Sequence, residues 1–241
     1  MKDLSLIVPT YNERDSIEAM VRSVAPLLSP WDYEILVVDD NSPDGTGAVV
    51  ERLAMDPVFG GRLRLLRRTM DRGLSPAVVE AFGVAAGRFL AVMDADRSHD
   101  ETILPALIRA VEGGAEVSVG SRRVPGGGAD KWPWYRRWAS GSATGLARIL
   151  LGLSLRDPMS GFFVLRREVF ERGRSRLRPR GYKILLELVV RAQVLPSRVV
   201  EIPYVFKDRR QGYSKLTASV AGSFGRQVVV LAWERWKAYF C

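Results

Sequence analysis

The chain has 241 residues, enough for one large domain or two small ones with a sizeable hydrophobic core. Its single cysteine, Cys241, excludes an internal disulfide framework and favours a reducing compartment. The net charge of +9 is unevenly spread, because residues 1–101 carry −6 and residues 102–241 carry +15. An acidic first part and a basic second part indicate two partners of opposite charge, such as a cation and a polyanion or anionic surface.

The first half of the chain alternates short apolar segments with amphipathic ones. We expect strands, each rich in Val, Ile or Leu, at residues 4–10, 33–40, 63–68, 89–96 and 116–122. Helix-period apolar residues between them predict helices at residues 15–28, 47–54, 76–86 and 102–112. This order predicts an α/β fold with a Rossmann-like, mostly parallel sheet and helices on both faces. The strands would then end along one edge, where ligands bind in such folds.

The pattern changes after the fifth predicted strand. A loop rich in Gly, Pro and Trp precedes a predicted helix at residues 137–151. Further along we expect a helix at residues 182–193 and a strand at residues 199–206. Apolar residues at helical spacing then predict a C-terminal amphipathic helix within residues 216–241, following a single domain formed by residues 1–215.

Two aspartates stand one residue apart at the end of the fourth predicted strand, in "MDADRSHD". If the backbone stays extended, Asp94, Asp96 and Ser98 face one side and Arg97 faces the other. Paired carboxylates suit a divalent cation such as Mg²⁺, which takes one or two of them together with phosphates and waters. The alternative is that both aspartates are solvated loop residues.

Two further polar clusters, "PTYNE" and "VVDDNSPDGT", follow the first two predicted strands. In the first, Tyr11 offers a stacking face and Glu13 an acceptor, or the segment merely ends a strand and caps a helix. In the second, Asp39 or Asp40 could accept from the base or ribose of a nucleotide, as acidic residues do in other doubly wound folds. The structural alternative is a turn in which Asp44 or Thr46 caps the next helix.

Seven motifs occur in the order found in family 2 glycosyltransferases: "PTYNE", "VVDDNSPDGT", "MDADRSH", "GSR", "DPMSGFFVLRR", "GYK" and "RRQGYSKL". Over roughly residues 4–216 the chain resembles the dolichol-phosphate (polyprenyl-phosphate) mannosyltransferases of that family. The resemblance implies a GT-A fold and the transfer of mannose from GDP-mannose to a polyprenyl or dolichyl phosphate, with inversion. It also implies Mg²⁺ or Mn²⁺ as cofactor.

The resemblance further implies roles for individual residues. Those that would bind the sugar nucleotide are Pro9, Tyr11, Glu13, Val38, Asp39, Asp40, Ala95, Lys183 and Arg209. The metal would be held by Asp94, Asp96 and Ser98, and the acceptor phosphate by Arg122, Arg136 and Ser140. Asp94, Asp96 and Arg122 are the expected catalytic residues. These residue types suit the chemistry, because cations stabilise the departing diphosphate and an anionic acceptor hardly needs a general base.

Three residues need separate interpretation. Relatives usually have an apolar residue where Arg97 stands, and a cation there would compete with the metal unless its side chain points away. His99, the only histidine, is expected in a turn or helix cap rather than at the metal. Asp157, in "DPMSGFF", is expected to orient an arginine or to cap a turn.

A polyprenyl acceptor implies contact with a membrane surface. No run reaches the roughly 18 apolar residues of a spanning helix, so we expect a peripheral protein at the cytoplasmic face. The aromatic and basic residues of "VLAWERWKAYF", together with Trp132, Trp134 and Trp138, are typical of an interfacial segment. The alternative is that both segments pack on the protein or on a partner chain. A membrane-anchoring partner protein is a further expectation.

Two rival functions remain open at this point. One is a family 2 transferase that uses UDP-glucose or another sugar nucleotide on a polyprenyl phosphate or a glycan. The other is a non-enzymatic nucleic-acid binder, suggested by a sequence pI near 10. The basic residues form neither one basic helix nor a known nucleic-acid motif, so we expect no nucleic-acid partner.

Overall fold

The computed structural model describes residues 1–130, 134–179, 183–207, 225 and 228–234, without the side chains of residues 134–140 and 143. The strands are β1 (Lys2–Thr10), β2 (Tyr33–Asp39), β3 (Leu63–Arg67), β4 (Gly87–Val92), β5 (Val117–Ser121), β6 (Gly128–Ala129), β7 (Phe163–Arg166), β8 (Val199–Pro203) and β9 (Val205–Phe206). The α-helices are α1 (Arg14–Leu28), α2 (Thr46–Ala54), α3 (Leu74–Val84), α4 (Leu104–Glu112), α5 (Trp134–Leu151), α6 (Arg167–Arg174) and α7 (Ile184–Arg191). Two 3-10 turns span Glu101–Ile103 and Pro196–Arg198.

Seven strands form one sheet in the order β3-β2-β1-β4-β7-β5-β8. All neighbouring strands are parallel except β7, which runs antiparallel to both β4 and β5. The predicted mostly parallel sheet is therefore confirmed, but β7 was not predicted. This strand has only four residues and passes directly into α6, so no turn residue or change of periodicity marks it in the sequence.

The hydrophobic core lies on both faces of the sheet, as the order of elements predicts. Alternate residues of β1 illustrate the division, because Leu6 and Val8 pack with α1, α2 and α4, whereas Ile7 packs with α3, α6 and α7. All three side chains are fully buried. This two-sided burial explains why the central strands read as continuous apolar runs rather than as alternating patterns.

Two strand boundaries differ from the predicted ones near the carboxyl edge of the sheet. The strand predicted at residues 89–96 ends at Val92, and the chain turns at Ala95 and Asp96. The strand predicted at residues 199–206 is interrupted at Tyr204, after which β9 leaves the large sheet and pairs with β6. Both breaks position loops over the edge where β1, β2 and β5 end.

Residues 228–234 are helical and pack against the rest of the protein. Val228 and Leu231 are buried with Ala147 and Leu151 of α5 and Leu186 of α7. Val229, Val230 and Trp233 are exposed. Among the described residues no helix is both long and apolar enough to cross a membrane. The boundary expected near residue 215 lies outside the described residues and stays a prediction.

Candidate active site

The loops that follow the first four strands have strained backbones. Five non-glycine residues of the described chain have positive φ, and four of them lie in these loops: Asn12, Asn41, Asp71 and Arg97, with φ between 50° and 59°. Side chains disfavour this left-handed region, so the surrounding structure must hold each loop in place. Such strain is typical of loops shaped for binding rather than for connection.

The loops after β1 and β2 are fastened together. Three backbone N–H groups of the first loop donate to side chains of the second: Asn12 to Ser42 (3.0 Å), Glu13 to Thr46 (3.0 Å) and Arg14 to Asp44 (3.1 Å). Asp44 also accepts from the N–H of Thr46, the first residue of α2, at 2.9 Å, but the N-cap position is occupied by Gly45 and not by Asp44 or Thr46. The two clusters "PTYNE" and "DDNSPDGT" therefore form one rigid unit.

The residues expected to hold the nucleoside lie on this unit. Pro9 and Val38 are register partners at the ends of β1 and β2. Tyr11 is 37% exposed, and the Arg72 guanidinium lies 5.5 Å from its ring centroid. Glu13 precedes α1 and accepts a hydrogen bond from the Ser16 hydroxyl at 2.8 Å.

Asp39 and Asp40 are both buried and hydrogen-bonded within the protein. Asp39 accepts from the N–H of Ser42 at 3.2 Å and from the Thr10 hydroxyl at 3.4 Å, so its carboxylate fixes the turn. Asp40 accepts from the N–H of Gly73 at 2.7 Å and forms a buried ion pair with Arg68. A role for these carboxylates in nucleotide binding stays a prediction.

Arg68 is a residue that the sequence reasoning missed. It follows β3 and is 4% exposed. Besides Asp40, it donates to Glu80 at 2.8 Å and to the carbonyl of Asp71 at 2.9 Å. The available signal was an arginine at the end of one predicted strand, next to a predicted strand that ends in Asp39 and Asp40. Arg68 ties the loop after β3 to Asp40, which directly follows β2.

We expect Arg68→Met to destabilise the protein by about 3–5 kcal/mol, because it leaves the buried Asp40 carboxylate unpaired. It should also weaken nucleotide binding, since the loop that carries Asp71 loses the link through Arg68 to Asp40 and keeps only the bond from the N–H of Gly73. Chemical denaturation and calorimetric titration with GDP measure the two effects. The control is Arg52→Met, which removes an exposed arginine paired with Glu18. Equal stability and GDP affinity in both variants would contradict the role of Arg68.

The loop after β4 presents Asp94 and Asp96 differently from the prediction. The N–H of Ser98 donates to Asp96 Oδ1 at 3.0 Å. Asp96 and Ser98 are buried while Arg97 is exposed, as expected. The opposite orientations of Arg97 and its two neighbours result from a left-handed turn at Arg97, with φ of 58°, and not from strand alternation. Asp94 remains 28% exposed, and a Cβ added to Gly161 would lie 3.2 Å from its Oδ2 atom.

His99 is buried against this loop and does not cap a helix. It is 3% exposed and stacks on Phe162 with ring centroids 5.1 Å apart. Its Nδ1 atom accepts from the N–H of Asp94 at 3.3 Å, which leaves the proton on Nε2. Asp100, not His99, caps the following 3-10 turn. Of the two expected roles, a turn or a helix cap, the structure therefore supports the first, because His99 fixes the backbone of Asp94 across the turn at residues 95–96.

The residues of this loop fit a hard divalent cation. In the part of the chain that the structure describes, no three His, Cys, Asp or Glu side chains are arranged to hold an ion by themselves. Asp94 and Asp96 supply two carboxylates, and the buried Ser98 hydroxyl has no hydrogen-bond partner among the described residues. Such an oxygen set suits Mg²⁺ or Mn²⁺ that completes its shell with phosphate and water. Ala95, between the aspartates, is buried.

Arg122 follows β5 and is held by Asp157. The Nε and Nη2 atoms of Arg122 donate to the two carboxylate oxygens at 2.8 Å each, and its backbone N–H donates at 3.1 Å. Burial raises the pKa of the fully buried Asp157, but the hydrogen bonds and charge of Arg122 outweigh it and bring the pKa below its ordinary value. Asp157 is therefore ionised at neutral pH, and of its two expected roles the structure shows the one that orients an arginine.

Lys183 belongs to the same cluster of charges. Burial, with a smaller contribution from the Arg122 charge, lowers its pKa to about 8, whereas Asp157 and Asp94 act in the opposite direction. Lys183, Arg122 and Asp94 therefore interact electrostatically across the edge of the sheet. Arg136 and Ser140 lie on α5 with side chains outside the described residues, and Arg209 lies outside them altogether.

We expect kcat/KM for the nucleotide donor to fall above pH 8, by about tenfold per pH unit where neutral Lys183 predominates. Its pKa of about 8 means that the lysine is charged below this pH and neutral above it in the free protein. Lys183→Arg should move the decline to higher pH, because arginine keeps its charge. A decline at the same pH in both proteins would assign it to another group.

The fold and this site define an α/β protein whose charged and polar residues gather at the carboxyl edge of its parallel strands. The acidic loop and the partly buried cations Arg122 and Lys183 meet there, next to the two joined loops that follow β1 and β2. The family model for glycosyl transferase family 2 matches residues 5–174. The chain belongs to this family.

Curated relatives resemble the chain over most of its length. A dolichol-phosphate mannosyltransferase of Pyrococcus furiosus is 40% identical over 235 residues, which are 96% of this chain and 64% of that protein. A polyprenol monophosphomannose synthase of Mycolicibacterium smegmatis is 40% identical over 89% of this chain and 81% of its own length. The dolichol-phosphate mannosyltransferase of Saccharomyces cerevisiae is 37% identical over 94% of this chain and 85% of its own length. The chain thus spans just under two thirds of the Pyrococcus protein.

Solved structures confirm the fold. A glucosyl-3-phosphoglycerate synthase from Mycobacterium tuberculosis, solved with Mn²⁺, UDP and glucosyl-3-phosphoglycerate, matches with a TM-score of 0.68. The match covers 97% of this chain and 80% of that one at 19% identity. The expected GT-A fold is therefore correct, including the central sheet and its flanking helices.

Proposed function

We propose that this protein transfers mannose from GDP-mannose to a polyprenyl phosphate, with inversion at the sugar. The names of relatives at about 40% identity support a polyprenyl-phosphate mannosyltransferase. The observation that carries the proposal is the meeting of the acidic loop at Asp94 with Arg122 and Lys183 at one sheet edge. A transferase that joins two phosphate-bearing substrates needs such neighbouring positive and negative groups.

On the donor side, the locked loops after β1 and β2 would bind the nucleoside through Tyr11, Glu13 and Asp40. Asp94, Asp96 and Ser98 would hold Mg²⁺ or Mn²⁺, which supplies Lewis-acid stabilisation of the diphosphate. The glucosyl-3-phosphoglycerate synthase of the same fold was solved with Mn²⁺ and UDP, which is compatible with this assignment. Lys183 would neutralise negative charge that develops on the leaving nucleoside diphosphate.

On the acceptor side, Arg122 would bind the phosphate of the lipid. A phosphate oxygen attacks the anomeric carbon as the bond from that carbon to the diphosphate oxygen breaks, and GDP leaves. The attacking phosphate is already anionic, so the step needs positioning rather than a strong base. Asp157 is a poor base, because its lowered pKa and its three hydrogen bonds from Arg122 favour the ionised carboxylate. It keeps Arg122 oriented.

A lipid acceptor would place the protein at a membrane surface, as a peripheral protein on the cytoplasmic face. Exposed apolar side chains on two neighbouring helical segments support this, namely Ile149 of α5 and Trp233. They lie next to the buried contact between α5 and residues 228–234. A membrane-anchoring partner protein stays a prediction, and the site favours a sugar nucleotide over nucleic acid.

Thermal denaturation with nucleotide sugars tests the donor assignment. We expect GDP-mannose with Mg²⁺ to raise the melting temperature, because ligands that bind only the folded state stabilise it. UDP-glucose with Mg²⁺ should have a smaller effect. Stabilisation by UDP-glucose alone would contradict the GDP-mannose assignment and favour a family 2 transferase with another donor.

A further inference from the structure

Glu201 lies on β8, outside the residues to which the proposed function assigns a role. Its carboxylate accepts from two consecutive backbone N–H groups, those of Arg156 at 2.7 Å and of Asp157 at 3.0 Å. Each carboxylate oxygen of Glu201 accepts from one of these two N–H groups. Both donors belong to the start of the turn that carries Asp157, so Glu201 fixes the backbone from which the Arg122 partner projects.

The turn at residues 157–160 is held at three points. Glu201 accepts from the N–H of Asp157, Arg122 binds the Asp157 side chain, and the Ser160 hydroxyl donates to the carbonyl of Gly120 at 2.7 Å. Gly120 lies on β5, two residues before Arg122, and β8 pairs with β5. The turn is thus clamped between the two strands whose ends flank Arg122.

We propose that Glu201 is a positioning residue for the acceptor phosphate, which acts through Asp157 on Arg122. The inference rests on the proposed function for its kinetic consequence. A carboxylate can accept both N–H groups, one on each oxygen, whereas a glutamine would oppose one of them with its own NH₂ donor. Loss of the second bond frees the start of the turn, and Asp157 then holds the Arg122 guanidinium less firmly.

The kinetic test compares wild type with Glu201→Gln and Glu201→Asp. The first variant removes the charge and one acceptor, and the second keeps the charge but shortens the reach by one methylene. In both, KM for polyprenyl phosphate should rise by about five- to tenfold, as loss of one hydrogen bond predicts. KM for GDP-mannose should stay within twofold of wild type. If Glu201→Gln does not fold, Glu201→Asp is measured alone.

The matched control is Glu116→Gln. Glu116 precedes β5, the strand paired with β8, and forms an ion pair with Arg172 at 2.7 Å, away from the turn. It should leave both KM values unchanged. An unchanged acceptor KM in the Glu201 variants, or an equal rise of both KM values, would overturn the positioning role.

A second readout does not depend on catalysis. The Nε–H of Arg122 should exchange with solvent slowly in wild type, because it donates to the buried Asp157. In ¹⁵N NMR spectra this exchange should quicken in both Glu201 variants but not in Glu116→Gln. Unchanged exchange would overturn the inference. If wild type transfers no mannose to any polyprenyl phosphate, the proposed function fails, while the exchange measurement still decides on Glu201.

Discussion

Asp96→Asn is expected to lower mannose transfer by at least about 10²–10³-fold while the protein stays folded. The substitution keeps the volume of the side chain, and the amide oxygen can still accept from the N–H of Ser98, the bond that shapes the loop. What it removes is one of the two carboxylate charges that we assign to the metal. Transfer rates across a range of Mg²⁺ and Mn²⁺ concentrations, with melting temperatures in parallel, measure the effect.

Asp100→Asn serves as the matched control for this prediction. It makes the same chemical change four residues later, at a residue that caps a 3-10 turn, and asparagine is an equally good cap. Its activity should match wild type. Near-normal turnover of Asp96→Asn at saturating metal would mean that the assignment of the metal site is wrong.

Replacing Arg122 should have the second-largest effect. We expect it to change both the KM for the acceptor and the stability of the protein. Arg122→Lys keeps a cation but cannot form the two parallel bonds to Asp157. KM for polyprenyl phosphate should rise by about 10- to 100-fold, the range for a hydrogen bond to a charged group. Arg122→Ala should in addition cost about 3–5 kcal/mol of stability, because it leaves the fully buried Asp157 unpaired.

A double variant separates these two consequences. In Arg122→Ala/Asp157→Asn no buried charge is left alone, so most of the lost stability should return. The acceptor KM should remain high, because the cation is still missing. Arg172→Lys, at an ion pair with Glu116 away from the site, provides the control. An acceptor KM in Arg122→Lys equal to that of wild type would remove Arg122 from the acceptor site.

The sequence predicted those parts of the fold that depend on repeated local signals. The alternation of apolar strands with amphipathic helices predicted the parallel strands from β1 to β4 and their two helical layers, because burial on both faces gives each strand a continuous apolar run. The clusters at the strand ends also predicted which edge holds the site, since parallel strands end on the same side.

Other features depend on pairings between distant residues, which one sequence does not reveal. Arg68 and Asp40 are 28 residues apart, and Glu201 binds N–H groups 44 and 45 residues earlier in the chain. The course of the Asp94 loop depends on the left-handed turn at Arg97 and on His99 beneath it. Strand alternation therefore gave the correct orientation of Arg97 for an incorrect reason.

Transfer of labelled mannose from GDP-mannose to a short polyprenyl phosphate, with and without a chelator of divalent cations, tests the central claim most directly. We predict a mannosylated lipid phosphate in the presence of Mg²⁺ or Mn²⁺, and its loss on chelation with recovery when the metal is restored. Absence of product with either metal, or undiminished transfer in the presence of the chelator, would contradict the proposed reaction or the proposed role of Asp94 and Asp96, respectively.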